Sequence, residues 1–239
     1  MSRSFAFVLA LLMTFSVAPS VYAAKDDDSL GDFQEKLGNE WVLVKHDKRR
    51  DIKTFAKQED GKRFRSFKVD AILDSTMEAG VRVMLDAENY TKWYWEVLEG
   101  AMLKRVSPTE YYIYLKHRAP IGLPNRDVIL HAIVEPQTKD KNYIKMIVRA
   151  APNYIPEKPP LIRMLAEDMT VIYTPLANNK VHIEAEGYVD PGGRVPTWAN
   201  NYIQRNAPYS ILLGLLRMMS NDEYRHSKTP LPFPISNTP

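Results

Sequence analysis

Polar and apolar residues alternate along most of this chain with the period of β-strands. In the run Val181-His182-Ile183-Glu184-Ala185-Glu186-Gly187-Tyr188-Val189 the odd positions are apolar or small and the even ones polar. One face of such a strand meets a core and the other meets water. Ile144, Met146 and Val148 oppose Lys145, Ile147 and Arg149 in the same way. Similar runs predict strands over 41–46, 52–56, 63–73, 101–106, 110–116, 128–134, 143–149 and 169–173, besides 181–189. Lys48-Arg49-Arg50-Asp51 and Glu59-Asp60-Gly61-Lys62 are polar turns that make the first three strands a meander.

The period changes twice. Asp74-Ser75-Thr76 supplies N-cap chemistry, and Met77, Val81, Met84 and Leu85 follow as the apolar stripe of a helix. Near the end, Pro196 suits the first position of a long helix over 196–219 carrying Ile203, Ala207, Ile211, Leu212, Leu215 and Met219. Pro208 interrupts it at a cost of about 3 kcal/mol unless the helix kinks. Between the two helical stretches, Tyr90, Trp93, Tyr94 and Trp95 form a dense aromatic knot. Strands joined by short turns, one internal helix and one terminal helix predict an α+β fold with a mostly antiparallel sheet. A long sheet covered by one principal helix either packs a filled core or encloses a cavity. The pattern leaves both open, although Ala185 and Gly187 are small and leave space on the inner face.

The ends of the chain read differently. Arg3, the apolar stretch from Phe5 to Phe15 and the small residues around Val21-Tyr22-Ala23 have the layout of a secretory signal over 1–23, cut after Ala23. The stretch is short for a membrane span, and an uncleaved anchor is the alternative reading. Periplasmic or secreted location is the expectation. Residues 24–40 form an acidic leader with a short helix over 31–38. Residues 221–239, with Pro230, Pro232, Pro234 and Pro239, are expected to be a disordered tail.

Composition narrows the chemistry. The 239 residues hold 32 Lys and Arg against 29 Asp and Glu, so no chain-wide basic field for nucleic acid exists. The absence of cysteine excludes a disulfide scaffold, a thiol nucleophile and a Cys-ligated metal. Of the five histidines, His182 shares the polar strand face with Glu184, too few ligands for zinc. His117 and His131 fall on neighbouring predicted strands and could pair. No P-loop, HExxH, GxGxxG or Gly-x-Ser-x-Gly pattern occurs. Neither metal nor cofactor is expected.

Several short motifs in order resemble one family. Asp190-Pro191-Gly192-Gly193-Arg194-Val195-Pro196-Thr197-Trp198 running into a helix with Pro208 inside it resembles the C-terminal end of START domains, the StAR-related lipid-transfer family. Pro120-Ile121-Gly122-Leu123-Pro124-Asn125-Arg126-Asp127 is similar to that family's proline-rich approach to an Arg-Asp pair. Leu85-Asp86 followed by Tyr90 and Trp93, then Tyr173-Thr174-Pro175-Leu176, and Trp41 opening the first strand, continue the likeness from Trp41 to Met219.

The resemblance implies a helix-grip fold over 41–220, a curved antiparallel sheet around the terminal helix enclosing a hydrophobic tunnel. It further implies binding or transfer of a lipid or other hydrophobic molecule, no cofactor, transient membrane contact and a monomer. The tunnel residues so implied are Ile113, Leu115, Val128, Leu130, Ala132, Ile144, Met146, Val181, Ile183 and Ala185 on the sheet, with Ile203, Ala207 and Ile211 on the helix. Arg126 and Asp127 are expected to hold the loop before their strand. Sterol-binding members carry an acidic–arginine pair at places held here by Ile113 and Ala132, which argues against a sterol held that way. The alternative within the same fold is a polyketide cyclase or aromatase, with His117, Arg163 or Tyr112 as acid–base candidates. An envelope interaction module with a vestigial cavity is a third reading. The Pro-rich loop over 151–160 either gates the tunnel or connects strands.

Overall fold

The computed structural model describes residues 38–239. The signal segment and almost all of the acidic leader lie outside the described residues. Ten strands follow: β1 (Val42–Asp47), β2 (Ile52–Lys57), β3 (Ser66–Leu73), β4 (Val97–Ser107), β5 (Glu110–His117), β6 (Arg126–Glu135), β7 (Ile144–Ala150), β8 (Ile162–Arg163), β9 (Ala166–Leu176) and β10 (Lys180–Asp190). The helices are α1 (Met77–Leu85), a 3-10 helix (Ala87–Lys92), α2 (Thr197–Met219) and α3 (Asp222–Arg225). The strands form one curved sheet in the order β1-β2-β3-β10-β9-β7-β6-β5-β4, antiparallel throughout. The two-residue β8 adds in parallel beside the start of β6, and its brevity hid it from any test of periodicity.

The alternation read in the sequence sets the two faces. Val181, Ile183 and Ala185 of β10 are buried on the inner face. His182 on the other face lies 3.2 Å from Asp70 of the neighbouring β3. The Thr76 hydroxyl oxygen caps α1 by accepting from the Ala79 N–H at 3.2 Å. Met77, Val81 and Met84 then enter the core.

Helix α2 has two unlike halves. Leu212, Leu215, Met218 and Met219 are buried, whereas Ala199 is the one buried residue before Pro208. Gly214 lets the second half approach closely, since a Cβ there would overlap the Trp93 carbonyl oxygen. The helix runs on through Pro208 instead of ending there. Pro208 removes one backbone bond from the less buried half, where little packing depends on it.

The expectation for the C-terminal tail is corrected by its packing. Phe233 is buried in the core, with Leu231 and Ile235 packed partly against it. Asn237 Oδ1 accepts from the Glu78 N–H at the start of α1, 3.1 Å away, and the Ser236 N–H donates to Gln137 Oε1 at 2.7 Å. Prolines at alternate positions hold this segment extended, so Leu231, Phe233 and Ile235 point one way like a strand without a partner. The tail is a strap over α1. Among the described residues, no helix is long and apolar enough to cross a membrane.

Candidate functional site

The sheet is not filled evenly. Under the middle of α2, on both sides of Pro208, lies a partly enclosed cavity of about 200 Å³. Val69 of β3, Val171 and Tyr173 of β9, and Ile183 and Ala185 of β10 form its floor. Ile203, Ala207, Ile211, Leu212 and Leu215 of α2 form its roof. Trp93 and Trp95 of the aromatic knot close one side. Pro120 and Leu123, from the loop between β5 and β6, contribute to the wall, and Ile121 in the same loop is wholly exposed.

Of the thirteen residues expected to line a tunnel, Ile183, Ala185, Ile203, Ala207 and Ile211 meet at this cavity. The other eight do not. Ile113, Leu115, Val128, Leu130, Ala132, Ile144, Met146 and Val181 are buried in the hydrophobic core and do not border the cavity. They do lie on the inner, buried face, but there the space is occupied by neighbouring side chains. Gly187 is corrected similarly. A Cβ there would stand 2.6 Å from the Phe67 ring, so Phe67 occupies the room it leaves. Ile113 and Ala132 are both core residues, and no polar pair stands at their places.

The cavity carries polar groups at one end, where β5 finishes and β6 begins. His117 and Arg126 are register partners across these strands and therefore share a face. The imidazole Nδ1 lies 3.3 Å from the Trp95 carbonyl oxygen, which can only accept, so Nδ1 carries a proton. His117 Nε2 stands 3.3 Å from Glu167 Oε2, a charge contact that falls short of a well-aligned hydrogen bond. The Tyr94 hydroxyl donates to Glu167 Oε1 at 2.7 Å. Burial is the largest single influence and works against the imidazolium, but the Glu167 charge and the contacts with Glu167 and the Trp95 carbonyl together outweigh it and raise the His117 pKa. Burial likewise opposes the Glu167 carboxylate, and His117 and Tyr94 overcome it and lower its pKa. Burial drives the Tyr94 phenol well above its usual value, with Glu167 adding to the effect. The three groups thus rest as an imidazolium, a carboxylate and a neutral phenol near pH 6.

His117 and His131 do not pair. His131 lies five register positions away, on the opposite face, bonded to Glu110 at 2.8 Å and stacked on Tyr112. Of the acid–base candidates, only His117 lines the cavity. Tyr112 is stacked between His131 and Tyr154. Arg163 is engaged by Asp127 through Nε at 2.9 Å and Nη2 at 3.0 Å. It also donates to the carbonyl oxygens of Ile155 and Pro156, which anchors the Pro-rich loop.

The Arg126-Asp127 pair therefore divides its work. Asp127, expected to hold the loop before its own strand, instead holds the Pro-rich loop over 151–160 through Arg163. Arg126 turns to the inner face and lines the cavity, only 5% exposed. Its Nη1 donates to the Pro124 carbonyl, and its Nε and Nη2 make no hydrogen bond within the protein. Placing the strand start at 128 instead of 126 concealed this, because Arg126 then fell in a loop. Among the described residues, no group of three or more His, Asp or Glu side chains is arranged to hold a metal ion.

No family model matches the chain. An uncharacterized protein of Pseudomonas aeruginosa is 24% identical over 179 residues, covering 75% of this chain and 86% of that one. A STAR-related lipid transfer protein fragment from Xanthomonas axonopodis superposes with a TM-score of 0.68 at 27% identity. That match covers 76% of this chain and 99% of the fragment. Human StAR-related lipid transfer protein 5 gives a TM-score of 0.61 at 14% identity, over 81% of this chain and 92% of that one. Human STARD10 gives 0.63 at 22%, over 81% and 79%. The curved, mostly antiparallel sheet, the terminal helix laid across it and these superpositions agree: the chain has the helix-grip fold of START domains.

Proposed function

We propose that this protein binds one lipid or similar hydrophobic molecule between the sheet and the middle of α2, and carries it. The supporting observation is the cavity itself, floored by Val69, Val171, Ile183 and Ala185 and roofed by Ile203, Ala207 and Ile211. Burial of acyl or ring surface there contributes about 25 cal/mol per Å², less the cost of ordering the ligand. The part of α2 before Pro208, which brings Ile203 and Ala207 to the roof, is its less buried half, which favours that part as the moving cover. The apolar N-terminal segment supports carriage outside the cytoplasm, a point the mass of the mature N-terminus would decide. Native mass spectrometry of protein purified from its own host should show a co-purifying hydrophobic mass. Absence of any such mass, together with no uptake of a fluorescent lipid, would overturn this reading.

A second reading, a cyclase-like enzyme, draws support from His117, Glu167 and Tyr94 lying together at the cavity wall. They are groups that could take and return a proton. Its test is whether a bound polyketide changes mass by loss of water on incubation with the protein. An unchanged mass argues for carriage alone.

A further inference from the structure

Arg126 is an anomaly in an otherwise apolar row. On the inner face of β6 it is followed by Val128, Leu130, Ala132 and Val134, all buried. A guanidinium taken out of water and left without a counter-charge is costly. The carboxylates at this end of the cavity are otherwise engaged: Asp127 faces the other way onto Arg163, Glu167 is shared by His117 and Tyr94, and Glu96 lies 3.8 Å from Arg118. No ion pair to Arg126 occurs among the described residues, and burial lowers its pKa without discharging it.

The geometry of the free edge is specific. Nη1 is taken by the Pro124 carbonyl, which leaves Nε–H and Nη2–H, two parallel donors along one edge of the guanidinium plane. Arg163 shows what this edge accepts, for its Nε and Nη2 grip the two oxygens of Asp127 at 2.9 and 3.0 Å. Such a fork matches a planar two-oxygen anion. Glu167 on the same cavity wall is matched by the His117 imidazolium, so the unbalanced charge at this end is the single positive charge of Arg126, which suits a singly charged headgroup.

We propose that Arg126 is the receptor for a carboxylate headgroup, so that the cavity selects long-chain carboxylic acids over neutral amphiphiles of the same length. This rests on the reading of the cavity as a lipid site. The tail of the ligand lies among Ala185, Ile203, Ala207 and Ile211, and its head meets the Nε–Nη2 edge. His117 sits beside the head and stays bound to Glu167.

The test is calorimetric titration of the full chain with dodecanoate, dodecanol and dodecyl phosphate, each below its micelle concentration and at a pH where the acid is ionised. The wild-type protein should bind dodecanoate about tenfold or more tightly than dodecanol, the effect of a charge-assisted bidentate contact. Arg126→Gln should lose that preference while keeping its dodecanol affinity, which also shows that the variant is folded. Arg126→Lys, which keeps the charge and loses the fork, should fall between them. Equal binding of acid and alcohol by the wild type would overturn the carboxylate assignment while leaving the lipid cavity standing, and this comparison needs no variant. Tighter binding of dodecyl phosphate, or a preference that survives in Arg126→Gln, would also overturn it. Failure of all three amphiphiles to bind would overturn the lipid reading and the assignment with it.

Discussion

At the scale of single residues, the cavity shows how burial and pairing set charge. His117 has its pKa raised above the ordinary 6.5, and Glu167 has its pKa lowered below the ordinary 4.5. A raised histidine stabilises the fold fully below 6.5, and that contribution is lost as the pH climbs through its folded value. A lowered glutamate stabilises above 4.5, and its contribution is lost as the pH falls through its folded value. The pair therefore contributes most between pH 4.5 and 6.5. Thermal unfolding of wild type and His117→Gln across the pH range should show the largest gap in melting temperature inside that window. The gap should narrow above it as the imidazolium of the folded state discharges. A gap that stays constant from pH 5 to pH 9 would mean that His117 acts by packing alone.

At the scale of elements, two contacts tie down segments whose own sequence gives little reason to stay put. The Tyr209 hydroxyl donates to Asp47 Oδ2 at 2.6 Å, and Lys45 Nζ lies 3.6 Å over the same ring. This joins α2, one residue past Pro208, to the turn end of β1. The Tyr209 and Arg50 contacts hold the Asp47 carboxyl far below its usual range, so the acceptor stays charged. Tyr209→Phe should speed amide exchange across 197–209, read by deuterium uptake, and leave 212–219 protected by the burial of Leu212, Leu215 and Met219. Equal acceleration in both halves would show that the helix moves as one piece. The C-terminal strap is the second case. Deleting 230–239 withdraws Phe233 from the core and uncaps the Glu78 N–H. Urea unfolding should report a loss of about 2–4 kcal/mol, the burial of one large aromatic side chain plus a hydrogen bond. An unchanged midpoint would mean that the strap rides on the surface.

At the scale of the whole molecule, the sheet was legible and its hollow was not. Period-two alternation located nine of the ten strands, Thr76 marked the start of α1, and the Pro-Gly-Gly turn marked the approach to α2. The inner face of β10 and that of β6 read alike, however, because both are rows of buried apolar residues. Which row faces space depends on where α2 crosses and which side chains reach across, as Phe67 does over Gly187. Those are tertiary facts. Arg126 was missed by an error of two residues in one strand boundary, and the strap because its prolines masked an alternating apolar row. The uneven filling makes opposite forecasts for one chemical change. Ala132 is enclosed by packed core, so Ala132→Leu should cost about 1–3 kcal/mol by overpacking while the remaining folded protein keeps its lipid. Ala185 borders the cavity, so Ala185→Leu has space to enter. It should leave the melting temperature level or higher and weaken lipid uptake, because its methyl groups take the place of ligand. Melting curves read beside uptake of a fluorescent lipid separate the two. Destabilisation by Ala185→Leu as large as that by Ala132→Leu, with uptake intact, would show a floor as tightly packed as the rest and remove the ground for a binding site there.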